Sequence, residues 1–121
     1  MKVPILRQGS VLIAAVQAAF SDRELLKLRD DLVATVGQSR SPGLVIDVTS
    51  LDLIDSFACR TFRELAQMTR LRGTKTVIVG VQPQVAVAMA QLGVRLEDLT
   101  TALDLEEAIQ YLQRHRGEEV R

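Results

Sequence analysis

Three short apolar runs, each rich in β-branched residues, recur along the chain at residues 11–16, 43–48 and 76–81. Between them lie two longer stretches in which apolar residues return every three or four positions, as they do on one face of a helix. Strands joined through helices are parallel neighbours or near-neighbours in one sheet, and the crossovers are right-handed. The chain is therefore predicted to fold as an α/β protein.

The N-terminal part of the chain predicts a hairpin. Apolar runs at residues 3–6 and 11–16 are joined by a polar turn at Gly9-Ser10, where glycine can supply the positive φ of a tight turn. Because hairpin strands are antiparallel, the sheet is predicted to be mixed. The second run is almost wholly apolar, which is typical of a strand covered on both faces.

Local signals predict where the helices begin and end. Ser21 and Glu24 form a capping box at the start of the first helix, and Phe20 is placed for a hydrophobic staple. Gly37 and the Ser-Arg-Ser-Pro-Gly stretch at residues 39–43 are expected to end that helix. The second helix is expected to begin at Asp55-Ser56 and to end at Gly73. The third is expected to run from Pro83 through Ala90 and to be closed by Gly93. Asp104 is expected to cap the last helix, with Glu107 as its partner in a capping box.

The predicted order of elements is β-β-α-β-α-β-α-(β)-α, where the element in parentheses is a short strand near residues 99–102. No internal repeat, low-complexity segment or linker interrupts this order. We therefore expect a single domain over residues 1–121, with an ordered core over about residues 3–115 and a polar tail at residues 117–119 that frays.

Composition and charge exclude several classes of function. Fifteen basic and fifteen acidic residues cancel, so no general attraction to nucleic acid or to an anionic membrane is expected. The longest apolar stretch, residues 11–16, is too short to cross a bilayer, and no signal peptide is recognised before Arg7. A single cysteine forbids an internal disulfide and suits a reducing compartment. These features predict a cytoplasmic protein.

Residues that commonly carry catalysis or bind metals are scarce. The single histidine, His115, lies near the C-terminus, and Cys59 has no second thiol or imidazole near it in the sequence. Neither a metal site nor a nucleophile paired with a base is therefore expected, and Cys59 is interpreted as a buried helix residue. No glycine-rich phosphate loop is present. We expect no enzymatic activity and no cofactor.

One segment, residues 48–57, remains as a candidate functional site. It links the end of a central strand to a helix N-terminus, where open α/β sheets place their ligand or partner sites. A phosphate on Ser56 would meet free backbone N–H groups and the positive end of the helix dipole. It would also lie close in sequence to Asp47, Asp52 and Asp55. The pattern alone nevertheless favours a simpler interpretation, in which Ser56 or Asp55 only caps the helix.

Three stretches resemble the STAS domain of bacterial anti-sigma factor antagonists. These stretches are residues 45–50 leading to Ile54-Asp55-Ser56-Phe57, residues 79–87, and residues 101–108. The last two are most similar to one branch of the family, the RsbS-type scaffold antagonists of the stressosome. The resemblance extends over almost the whole chain.

The resemblance implies a mixed sheet flanked by helices and a non-enzymatic function in stress signalling through protein–protein interaction. It implies that Ser56 is phosphorylated by an RsbT-like switch serine/threonine kinase, which the unphosphorylated complex holds, and that Asp55 and Asp47 support the site. The implied partners are sensor-bearing co-antagonists of the RsbR type, which build a large hetero-oligomer with the chain, and a phosphatase that resets the serine. The chain itself is expected to carry no N-terminal sensor domain.

Two other interpretations stay open. The chain could be a STAS antagonist of another partner-switching pathway, in which case it would not enter a megadalton particle. It could also be a small α/β nucleotide-binding protein, which calorimetric titration with nucleotides would reveal.

Overall fold

A computed structural model describes residues 3–17, 21–51, 54–91, 93 and 99–114. It contains a five-stranded sheet in which the spatial order of the strands is their order along the chain. The strands are β1 (Ile5–Gln8), β2 (Val11–Ala15), β3 (Gly43–Asp47), β4 (Lys75–Val79) and β5 (Thr101–Ala102). The helices are α1 (Asp22–Ser39), α2 (Ser56–Leu71), α3 (Pro83–Gln91) and α4 (Leu105–Arg114).

The strand directions confirm the mixed sheet. β1 and β2 form an antiparallel hairpin in which Ile5 lies opposite Ala14, and Gly9 in the turn has a φ of 61°. β2, β3, β4 and β5 are all parallel to one another, with Ala14 beside Ile46 and Ile46 beside Ile78. The predicted short strand near residues 99–102 is β5, which lies at the edge of the sheet.

Successive residues along the strands contribute alternately to two apolar cores, one on each face of the sheet. On the first face Leu44 and Ile46 are fully buried beneath α1, α2 and α3, together with Leu32 and Leu65. This common side is expected, because successive right-handed crossovers that advance in one direction place their helices on the same face. On the second face α4 covers the other strand residues. That smaller core comprises Val11, Ile13, Val45, Val77, Val79, Ala108 and Leu112.

Both ends of α1 lie where the sequence predicts them. Ser21 and Glu24 form the reciprocal capping box, with N–O distances of 3.0 and 3.2 Å. Gly37 does not end the helix by itself: α1 continues to Ser39, and Arg40, within the predicted stop at residues 39–43, ends it with a φ of 50°. The glycine instead gives room to Arg72, whose guanidinium would overlap a β-carbon at position 37. The proposed staple residue Phe20 lies outside the described residues.

The other helix limits agree closely with the sequence. α2 ends at Leu71, two residues before Gly73, and α3 is followed by Gly93, whose φ is 80°. Asp104 caps α4, since its carboxylate accepts a hydrogen bond of 2.9 Å from the backbone N–H of Glu107. None of these helices, within the described ranges, is long and apolar enough to span a membrane.

Candidate functional site

The candidate site is the loop between β3 and α2, residues 48–55, together with the first turn of α2. Since β3 and β4 are parallel, this loop lies beside the loop between β4 and α3, residues 80–82, at the same edge of the sheet. Leu51 and Ile54 are buried and anchor the β3–α2 loop to the main core. Asp52, which is close to Ser56 in the sequence, lies outside the described residues.

Asp47 shapes the beginning of the β3–α2 loop. Its half-buried carboxylate accepts hydrogen bonds from the backbone N–H of Thr49, at 2.9 Å, and from the Thr49 hydroxyl, at 2.6 Å. A short aspartate side chain that bonds the backbone two residues further on is the usual device for such a turn. Asp47 therefore acts on the site by holding the loop backbone.

The β4–α3 loop contacts Thr49 closely. Gln82 donates a hydrogen bond of 2.8 Å from its side-chain amide to the Thr49 carbonyl oxygen. Gly80 has a φ of 80°, and a β-carbon there would overlap the Thr49 hydroxyl and lie 2.9 Å from the Thr49 β-carbon. The roles of Gly80 and Gln82 as supporting residues were not predicted from the sequence. The one available signal was a glycine near the end of the apolar run at residues 76–81.

The structure assigns the capping role at the start of α2 to Asp55. The Asp55 carboxylate accepts a hydrogen bond of 2.8 Å from the backbone N–H of Ala58, and its carbonyl oxygen accepts one of 3.0 Å from Cys59. Ser56 is therefore the first residue of the helix, and Asp55 is the N-cap. Of the two capping alternatives left open by the sequence, only the one for Asp55 holds.

Ser56 is exposed and has no capping role. Its hydroxyl makes no hydrogen bond to any residue in the described part of the chain. The backbone N–H groups of the first turn lack intrahelical acceptors, and the positive end of the helix dipole lies there. An anion attached to this side chain would therefore enter a favourable field, although the Asp55 carboxylate next to it would oppose the added charge.

Cys59 is the buried helix residue that the sequence predicted. Its side chain has no solvent exposure, and burial raises the pKa of the thiol, with a smaller contribution from the nearby charge of Asp55. The thiol therefore stays protonated at neutral pH, and the protonated form is a poor nucleophile. Among the described residues no three histidine, cysteine, aspartate or glutamate side chains come together as metal ligands would. His115 lies outside that range.

Two alanine substitutions separate the cap from the exposed serine. We expect Asp55→Ala to lower the free energy of unfolding by about 1 kcal/mol, because the Ala58 N–H loses its acceptor. We expect Ser56→Ala to change it by less than about 0.5 kcal/mol, since the hydroxyl makes no contact that the fold needs. Urea denaturation of both variants measures the difference. Equal losses would contradict the assignment of the cap to Asp55 alone.

Comparison with known proteins gives a family match over most of the chain. The family model "STAS domain" matches residues 2–108. The RsbT co-antagonist protein RsbRA of Bacillus subtilis is 26% identical over 84 residues, which make up 69% of this chain and 31% of that protein. The RsbT co-antagonist protein RsbRB of the same organism is 24% identical over 108 residues, which make up 89% of this chain and 39% of that protein. The chain thus spans about a third of the length of these curated relatives.

Solved structures match over nearly the full length of both chains. A serine-to-glutamate variant of RsbS from Moorella thermoacetica superposes with a TM-score of 0.82 at 27% identity, covering 94% of this chain and 97% of that one. A chain from the molecular architecture of the stressosome gives a TM-score of 0.79 at 28% identity, with 92% and 96% covered. The unphosphorylated anti-sigma factor antagonist SpoIIAA, at 12% identity and a TM-score of 0.73, shares the fold, with 93% and 97% covered.

Proposed function

The chain belongs to the STAS domain family, and from this membership we propose that it is a non-enzymatic regulatory scaffold of a bacterial stressosome. In this proposal it captures an RsbT-like serine kinase in the cytoplasm and releases the kinase when Ser56 is phosphorylated. An RsbR-like co-antagonist that carries a sensor domain completes the assembly, and a phosphatase returns the serine to its unmodified state.

The relatives support the assembly part of the proposal. Both curated relatives are named as co-antagonists of RsbT, and they match this chain over 69% and 89% of its length. The structural matches to RsbS and to the stressosome chain have 27% and 28% identity. They cover more than nine-tenths of this chain and of each matched chain. A stressosome scaffold is therefore the function that the similarities favour.

One observation at the site supports the switch more than any other: Ser56 is exposed at the first position of α2 while its neighbour Asp55 performs the capping. The serine can therefore be modified without loss of a hydrogen bond that the helix needs. A phosphate would add nearly two negative charges and three acceptor oxygens at this point of the surface. Such a change alters how a partner binds there while the fold beneath it stays intact.

Assembly is tested by mixing. We expect the purified protein to sediment alone as a monomer or small oligomer, and to enter a megadalton particle with an RsbR-like protein from the same bacterium. Much of the domain surface is committed to contacts between STAS domains in this proposal, so a version of the partner that lacks its STAS domain should leave the chain free. Analytical ultracentrifugation at micromolar concentrations measures both mixtures.

Two independent sedimentation peaks with the full-length partner would contradict the stressosome assignment. If the chain then bound a kinase without any large particle, it would be a STAS antagonist of another partner-switching pathway. The shared fold with SpoIIAA makes this the second candidate.

A further inference from the structure

We propose that Arg60 is the counter-ion of a phosphate on Ser56, so that phosphorylation closes an ion pair along the first turn of α2. This inference rests on the proposed function, since it concerns the same serine. It adds a second effect of the modification: the phosphate binds the Arg60 guanidinium, which the unmodified surface leaves available to a partner protein.

The spacing of the two residues brings their side chains together. Ser56 is the first residue of α2 and Arg60 is the fifth, and both are exposed. Residues four apart on a helix lie on the same face, with their β-carbons about 5–6 Å apart. Helical side chains also lean toward the N-terminus and cover the preceding turn. A long arginine side chain at position 60 can therefore reach a phosphate on Ser56.

Arg60 is available for a new partner. It forms no ion pair with any other described residue. Glu64, which lies one further turn along the helix, instead approaches Arg29 of α1 at 3.9 Å. Arg60 borders a shallow surface depression of about 370 Å³ with Phe57, Thr61, Arg63 and Glu64, so its side chain faces open space.

The chemistry of the two groups suits this pairing. A guanidinium can give two parallel hydrogen bonds to phosphate oxygens, which makes arginine the usual partner for a phosphorylated side chain. Before modification Ser56 has the exposed Asp55 carboxylate next to it and the exposed Arg60 one helical turn away. After modification the guanidinium is bound to the phosphate and the net charge of the group is strongly negative. A kinase surface that had used Arg60 would lose that contact as it met the new charge.

The test places phosphoserine at position 56 during translation, by an expanded genetic code, so that it does not depend on any kinase. Three phosphorylated proteins are compared by ³¹P NMR: the otherwise unchanged chain, Arg60→Gln and Arg70→Gln. Arg70 is the matched control because it is also exposed on α2, about 21 Å from Ser56 along the helix axis. Asp55 and the helix N–H groups are the same in all three, so their effects cancel.

We expect the second ionisation of the phosphate, normally near pH 6, to move up by about 0.3 pH units in Arg60→Gln and to stay in place in Arg70→Gln. The difference should shrink in about 1 M salt, where exposed charges are screened. Equal midpoints in all three proteins would overturn the inference. So would weaker kinase binding by unphosphorylated Arg60→Gln combined with an unchanged midpoint, which would make Arg60 a kinase contact.

The failure of the proposed function would be seen separately. If the native chain, incubated with kinase and co-antagonist, were never modified at Ser56, mass spectrometry would reject the switch. The NMR result would remain valid, because the phosphoserine in that experiment is built in.

Discussion

Phosphorylation of Ser56 should weaken the binding of the captured kinase about a hundredfold, which corresponds to roughly 3 kcal/mol. The reason is electrostatic: a phosphate with nearly two charges appears on an exposed helix start beside the Asp55 carboxylate. In the test the chain is incubated with an RsbT-like kinase, an RsbR-like co-antagonist and Mg-ATP. Tandem mass spectrometry of the product identifies the modified residue, and surface plasmon resonance compares the kinase affinity of the two forms.

Substitutions at Ser56 should separate kinase binding from kinase release. Ser56→Ala should fold normally and hold the kinase permanently, because the releasing charge cannot be added. Ser56→Asp should bind the kinase more weakly than the unmodified chain, although one carboxylate supplies only part of the charge of a phosphate. Equal kinase affinity for the unmodified, Asp-substituted and phosphorylated chains would contradict the release mechanism.

Neighbouring hydroxyl groups provide the controls for the site. The Thr49 hydroxyl donates to Asp47 and the Thr61 hydroxyl donates to the Phe57 carbonyl oxygen, so both have partners within the fold. Ser50 is exposed and is the matched control, and Ser50→Ala should leave phosphorylation and kinase release unchanged. Phosphate found on Thr49, Ser50 or Thr61, with Ser56 bare, would contradict the site.

The second large effect is expected at Gly80. Gly80→Ala should lower the free energy of unfolding by about 3 kcal/mol, because the new β-carbon would combine a left-handed backbone with overlap against Thr49. Gly93→Ala is the matched control. Its φ is also 80°, but no heavy atom of the described residues lies within 4 Å of the added carbon, so the loss there should be only about 1 kcal/mol. Urea denaturation measures both losses.

A second substitution tests whether the overlap with Thr49 causes the difference. Thr49→Ala removes the hydroxyl that the new carbon would strike, so Gly80→Ala should cost less in that background than in the original chain. If Gly80→Ala and Gly93→Ala were equally mild, the two loops would be able to move apart. The β4–α3 loop would then not fix the position of the loop that leads to Ser56.

The parts of the fold that the sequence predicted are those that depend on neighbours in the chain. The apolar runs became β2, β3 and β4, and the capping box at Ser21 formed as expected, because periodicity and caps act over a few residues. The role of Gly37 inside α1 was not predicted because its cause is distant: Gly37 accommodates Arg72 of the segment after α2. No local pattern could have shown that contact.

The candidate site was predictable in position but not in detail. Its place after a central parallel strand follows from the order of elements. The division of roles between Asp55 and Ser56 needed the backbone, since either residue type can cap a helix and only the dihedral angles decide between them. The contact of Thr49 with Gly80 and Gln82 joins residues more than thirty positions apart. The modification of Ser56 itself stays a prediction.

The agreement between strand order and chain order bears on how the protein is made. In many α/β sheets a late segment must insert between strands that were synthesised earlier, so the sheet cannot close until that segment has been translated. Here each strand is added to the edge left by the one before it. A nascent chain that leaves the ribosome N-terminus first can therefore extend the sheet strand by strand. Of the strands that the structure describes, the two-residue β5 is translated last.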